Sequence, residues 1–275
     1  MMRITDTVKH LIIINVLMFV GTMTVGDGRL FYDLFAMHFP ASDAFKPWQV
    51  VTHMFMHGGF THLLFNMFAL WMFGGPVEQR LGRNKFLFIY FSAGLGAVLF
   101  QLAGYYWDYL PALKSLMESG LSKTAINDII NFNILDGNQY TGQLLQEQLT
   151  VYLADNNISA SVINQASYQA LFETNVLIHN STMVGASGCI MGVLAAFGMM
   201  NPNAELMMIF LPIPIKAKYF IPGIILLDVI SAFTGQSFFS PSNTAYLAHV
   251  GGAIIGFIIM WYWRKTQFNK NRWDR

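Results

Sequence analysis

The sequence predicts an all-α membrane protein, a bundle of six transmembrane helices with an extra helical extramembrane insert between the third and fourth. Three observations carry this. Hydrophobic residues make up 54% of the 275 and charged residues only 11%, where soluble domains carry roughly 25% charged. A chain this apolar cannot hide its surface in one water-soluble core, so the bilayer is its natural solvent. Six apolar stretches, at about 10–26, 60–76, 86–106, 183–201, 219–236 and 244–263, approach the roughly 20 residues needed to cross the hydrocarbon. Between the third and fourth lies a stretch of different composition, polar and acidic.

The first stretch follows MMRITDTVKH. No small-residue cleavage pattern follows it, so it reads as a retained span and not as a cleaved signal. The second and fourth are short and rich in Gly and Met. Leu206–Ile215 is also apolar, but Pro212 and Pro214 interrupt it; it reads as a re-entrant or interfacial piece, or as the start of a longer fifth span. With a cytoplasmic N-terminus, 12 of the 16 basic residues fall on the inner side, including Arg80, Arg83, Lys85, Lys216, Lys218 and the basic tail at 265–275. Inner loops carry the Lys and Arg excess, so both termini are expected in the cytoplasm of a multi-pass membrane protein, which in a bacterium would sit in the plasma or inner membrane. The expected core is therefore 1–106 with 183–264.

Residues 107–182 carry seven acids against two lysines, a net charge of −5. Apolar positions recur there at helical spacing, at Leu113, Leu116, Met117 and Leu121, then Leu145, Leu149, Tyr152 and Leu153. Asp136-Gly137-Asn138 and Asn156-Asn157 read as breaks between helices. The segment is expected as an acidic extracytoplasmic insert that modulates access and supplies no catalytic group. His179 is its one residue close enough in sequence to intrude.

The net charge of +1 excludes a strong electrostatic claim on nucleic acid. The single cysteine, Cys189, permits no internal disulfide. There is no internal repeat of the kind that builds transporters from inverted halves.

Polar groups at membrane depth are costly, so each needs a reason. One cluster opens the fourth span, Gly185-Ala186-Ser187-Gly188-Cys189-Ile190-Met191-Gly192. Taken alone it reads as helix packing through small residues. A second lies in the sixth span, Ala248-His249-Val250-Gly251-Gly252-Ala253-Ile254-Ile255-Gly256. Gly252 and Gly256 share a helix face with His249 and open a groove, which a face carrying Gly185, Ser187 and Gly188 would fill. The third runs from Trp48 through His53, His57 and His62 to Asn66. His62 and Asn66 stack on one helix face. A His pair at this spacing also suits zinc, but H-E-x-x-H is absent and Asn is a poor zinc ligand; two neutral donors suit an oxyanion better. No metal or cofactor is expected.

These strings (G-x-S-G, A-H-x-x-G-x-x-x-G and H-x-x-x-x-H-x-x-x-N) together resemble the rhomboid protease family, over roughly 45–106 and 183–263. The resemblance implies an intramembrane serine endopeptidase acting on membrane-anchored, single-span proteins in the lipid bilayer. It implies that Ser187 attacks the scissile carbonyl and His249 takes its proton, while His62, Asn66 and the Ser187 amide bind the oxyanion. Thr52 and His57 match the first-loop pattern, with a structural role. Gly75–Gly82 resembles the glycine and charge cluster after the second span. Two positions depart from the pattern: Gln49 stands where the family commonly has Arg, and Met191 where it commonly has Tyr. The competing reading is an inactive rhomboid-like protein that binds membrane clients without cutting; such relatives lack the Ser or His that this chain has. Asp228 is the one acidic candidate at depth near His249. Because such acids more often serve packing or a helix end, a dyad oriented by helix packing is expected.

Overall fold

A computed structural model describes residues 4–208, 211–237 and 245–264. The basic tail at 265–275 lies outside them. In chain order the main helices are α1 (Asp6–Thr24), α2 (Arg29–Phe35), α3 (Phe60–Leu81), α4 (Arg83–Glu118), α5 (Lys123–Ile130), α6 (Gly142–Asp155), α7 (Gln165–Asn180), α8 (Ser187–Met200), α9 (Ala217–Thr234) and α10 (Tyr246–Trp263). Five of them, α1, α3, α4, α9 and α10, are long and apolar enough to cross a membrane; α8 is a shorter apolar helix. The chain divides into two compact units. One contains the residues up to Ala36, Trp48–Gln101 and those from Met183 onward; the other contains Met37–Pro47 and Leu102–Thr182.

In the first unit the helices turn apolar side chains outward. Leu17, Met23, Leu99, Phe233 and Phe257 are all exposed, which is tolerable only where the surrounding solvent is itself apolar. Helix α8 is the exception, with every residue from Gly188 to Phe197 buried. A helix apolar all round belongs inside a bundle. The N-terminus of α1 is closed by α3: the Glu78 carboxyl accepts from the Thr5 hydroxyl and from the Val8 N–H. An acidic group there satisfies first-turn donors that the helix cannot and opposes the positive end of its dipole. This gives the charge in the Gly75–Gly82 cluster a structural task.

The C-terminal carbonyls of α2 are closed by the segment that follows. Trp48 Nε1 donates to the Leu34 carbonyl at 2.7 Å, Gln49 Nε2 to Asp33 at 2.9 Å and Thr52 Oγ1 to Phe35 at 2.9 Å. Gln49 is fully buried, so the residue standing in place of the family's Arg is itself an anchor.

Three expectations are corrected. The boundary at 106/107 falls inside one continuous helix, because α4 runs 36 residues. At 1.5 Å per residue that is about 54 Å, against about 30 Å of hydrocarbon. Second, Leu206–Ile215 is not the start of a longer fifth span, since α9 begins only at Ala217. Glu205–Met208 and Leu211–Lys216 form an antiparallel pair with Leu206 opposite Ile215. Pro212 and Pro214 are two apart, so both missing N–H groups lie on one edge, which a two-stranded pair tolerates. Third, residues 37–47 leave the expected core for the second unit. Asn131 ties them there, accepting from the Asp43 N–H at 2.9 Å and donating to the Ala41 carbonyl at 3.0 Å. Phe39 is buried against Tyr105, Tyr106 and Tyr109.

The second unit has a core of its own. Leu116, Ile126, Ile129, Ile130, Leu145, Leu149, Leu171 and Ile178 are buried together. Helices α5, α6 and α7 are capped by Ser122, Thr141 and Asn164. Gly137 (φ 60°) turns a short hairpin, and Asn157 (φ 54°) follows the end of α6, both where the sequence reads breaks.

Candidate functional site

The site is built around the start of α8. The chain enters it through Gly185, whose φ is +127°. That conformation disfavours any residue with a Cβ. The Gly185 N–H donates to the His53 carbonyl at 2.9 Å, which holds the entry against the loop before α3. A Cβ on Gly185 would lie 2.8 Å from His62 Cε1, 2.9 Å from His62 Nε2 and 3.7 Å from Asn66 Nδ2. Gly185 is therefore not a helix-packing residue, as the sequence suggests. It lies before α8, and its missing side chain is the room that His62 and Asn66 occupy.

Ser187 is the first residue of α8 and is partly exposed. Its amide belongs to the first turn, whose N–H groups have no acceptor within the helix. It is thus a donor not used within the helix, two residues after the Gly185 position that His62 and Asn66 approach. Cys189, two residues on, is buried, with its Sγ against Gly94 of α4.

Helices α8 and α10 meet through glycine. A Cβ on Gly252 would fall on the Gly188 carbonyl oxygen, and one on Gly256 on the Gly192 carbonyl oxygen. From the other side, a Cβ on Gly192 would lie 3.0 Å from the Gly252 carbonyl and one on Gly188 would lie 3.5 Å from the Ala248 carbonyl. Ala93 and Ala97 of α4 close on Gly192 and Gly188 from a third direction. Small residues on three helices let their backbones approach this closely. Ser187 and His249 are the residues that flank the Gly188–Ala248 contact.

His249 has a carboxyl partner. Its Nδ1 lies 3.0 Å from Asp228 Oδ2, with side chains only 12% and 5% exposed. This corrects the expectation that helix packing alone orients the imidazole. Asp228 is 21 residues away on α9, and only the packing of α9 on α10 reveals the pair.

His62 and Asn66 are fixed by their neighbours. The Gly58 N–H donates to His62 Nδ1 at 3.4 Å, which leaves the ring proton on Nε2, the nitrogen nearest Gly185. Asn66 Nδ2 lies 3.0 Å from His57 Nε2 and donates there, keeping a second N–H. His57 also packs its ring edge-on to His62, with centroids 5.0 Å apart. The structural role expected of His57 is thus a specific one, holding both side chains. Among the described residues, no group of three His, Cys, Asp or Glu converges as metal ligands. His179 belongs to the second unit, where its Nδ1 engages the Asn175 carbonyl at 2.9 Å.

The two histidines of the loop before α3 are held neutral. Burial pushes His57 down to about 3, aided by the nearby His62, and burial pushes His53 down to about 4. An unfolded histidine titrates near 6.5. Between that value and the folded ones, the unfolded chain binds more protons, so stability falls as pH falls. The purified protein in detergent is expected to lose thermal stability steadily from about pH 6.5 to pH 4. His57→Asn should lose less over the same window, and identical slopes would contradict this origin.

A Rhomboid domain model matches residues 44–112 and 145–266. The chain belongs to the rhomboid family. The match takes in 145–182, which the sequence reading leaves outside the resemblance. Rhomboid protease GlpG of Salmonella newport, of Salmonella heidelberg and of Salmonella typhimurium are each 34% identical to this rhomboid over 109 residues, 34% of this chain and 39% of the relative. The chain thus aligns with about two fifths of the length of these curated relatives. Being multi-pass and rhomboid, it is an integral membrane protein.

Proposed function

We propose that this rhomboid is an intramembrane serine endopeptidase that cuts membrane-anchored, single-span proteins in or near their transmembrane segment. The observation that carries the reading is the Gly188–Gly252 approach between α8 and α10. It is a contact without side chains, flanked by a serine at a helix start and by a histidine with an engaged Nδ1. In the proposed reaction Ser187 Oγ attacks the scissile carbonyl while its proton passes to His249 Nε2. The tetrahedral oxyanion takes hydrogen bonds from the Ser187 amide, His62 Nε2–H and Asn66 Nδ2–H. The imidazolium then gives its proton to the leaving amine, and the peptide bond breaks. Water, activated in the same way, hydrolyses the acyl-enzyme and regenerates Ser187.

Six spans are proposed, α8 being the fourth. Residues 107–182 then lie on the outer side, both termini in the cytoplasm, and the catalytic groups near the outer end of their spans. A helix hides its carbonyls, so weak helix formers near the cut favour the unwinding that attack requires. The family resemblance adds a small residue before the scissile bond.

Reconstituted protein supplied with a generic single-span substrate tests this. The products should carry new termini within or beside the substrate's transmembrane segment. His62→Ala and Asn66→Ala should each lower kcat by about 10²–10³, the usual cost of one oxyanion donor. Unchanged kcat in both would remove the oxyanion assignment, and absence of cleavage by the wild type would remove the protease.

A further inference from the structure

Asp228 sits in the middle of an apolar helix, and an acid at that depth demands a partner. Its helix, α9, turns Leu226, Ile230 and Phe233 outward, whereas Ala217, Ile221, Asp228 and Ser231 form its buried side. Among the described residues the Asp228 carboxyl has one hydrogen-bond partner, His249 Nδ1 at 3.0 Å. A carboxyl with so little access to water is expensive to keep, and replacing such groups by apolar ones is often stabilising. Packing alone therefore does not account for it.

The chemistry of the ring supplies a reason. The two imidazole nitrogens are distinct, and whichever makes a fixed hydrogen bond decides which one is free. If Nδ1–H donates to Asp228, the proton is excluded from Nε2, which keeps its lone pair. Nε2 is the nitrogen that must accept the Ser187 proton. We infer that Asp228 is a positioning residue that holds His249 in the Nδ1–H tautomer and steadies the imidazolium formed during attack, so that this chain works with a Ser187–His249–Asp228 relay. The inference rests on the proposed protease reading. Asp228 touches no substrate and acts only through the ring. The groups that face His249 are Asp228 from α9 and His62 from α3, which lies within electrostatic reach.

The test uses the full chain in detergent micelles, labelled with ¹⁵N-histidine, at alkaline pH where the imidazole is neutral. The His249 resonances are identified by their loss in His249→Gln. The wild type should show a protonated Nδ1 and a bare Nε2. Asp228→Asn, nearly isosteric, offers an amide N–H to Nδ1 and should move the ring proton to Nε2. Its kcat should fall by about 10²–10⁴, KM should barely change, and the fold should persist; the upper figure is that of the same exchange in a soluble serine protease. Asp228→Glu should recover part of kcat, and Asp228→Leu none of it. A wild-type His249 protonated on Nε2 overturns the proposal without reference to any variant. So does an Asp228→Asn enzyme of wild-type kcat, or one that loses activity with its tautomer unchanged. In each of these cases the protease reading stands if His249→Gln is inactive. It fails separately if His249→Gln cleaves normally.

Discussion

Ser187→Ala should abolish cleavage of every substrate and leave the protein folded. The mutation removes one oxygen from a partly exposed position at the start of α8. The glycine contacts with α10 and the bond from Gly185 to His53 do not involve that oxygen. Thermal stability should change by less than about 0.5 kcal/mol, as for substitutions away from packing features. The activity loss should reach the assay floor, because no other oxygen replaces the nucleophile. Cys189 does not substitute for it, since its thiol is buried against Gly94, and Cys189→Ala should cleave normally. Thermal melts with the cleavage assay check both halves. Activity surviving in Ser187→Ala contradicts the assignment.

Gly252→Val should cost both activity and stability. A Cβ alone at 252 falls on the Gly188 carbonyl oxygen, and valine adds two further methyl groups. The helices must separate, and overpacking of this kind typically costs about 1–3 kcal/mol, occasionally more. The separation moves Ser187 away from His249, so kcat should fall steeply, even where the protein still folds. Gly256→Val acts one turn further along, against Gly192, and should destabilise comparably. The control is Gly223→Ala on α9, where an added Cβ meets nothing within 4 Å. That change should leave stability equal or slightly higher, since alanine favours the helix over glycine by about 1 kcal/mol. A Gly252→Val protein with wild-type melting and activity would mean that α8 and α10 do not pack through these glycines.

How far the sequence is legible follows from the range of the interactions. The apolar helices are local features, and their composition reveals them. The breaks at Gly137 and Asn157 are equally local. The spacing of Gly252 and Gly256 marks one helix face and points to Gly188 as its filler, but the pairing of Gly256 with Gly192 emerges only from packing. The strand pair at 205–216 is hidden because a short apolar run has no period to distinguish strand from helix. Residues 37–47 join the second unit through Asn131, about ninety positions away, and no local pattern announces such a bond. Gly185 looks like a member of the small-residue face because its +127° φ is invisible in a string of letters. Asp228 is legible as an anomaly, an acid in an apolar span. Its pairing with His249 depends on the register of α9 against α10, which composition does not encode.

Ser187 is proposed to be an activated nucleophile. A fluorophosphonate probe tests it most directly, because it bonds covalently only to a serine that a neighbouring base has activated. The full-length protein in detergent should gain the mass of one adduct. Peptide mapping should place the adduct on Ser187, and His249→Ala should suppress it. An adduct on another residue, or equal labelling of Ser187 in His249→Ala, would contradict the account.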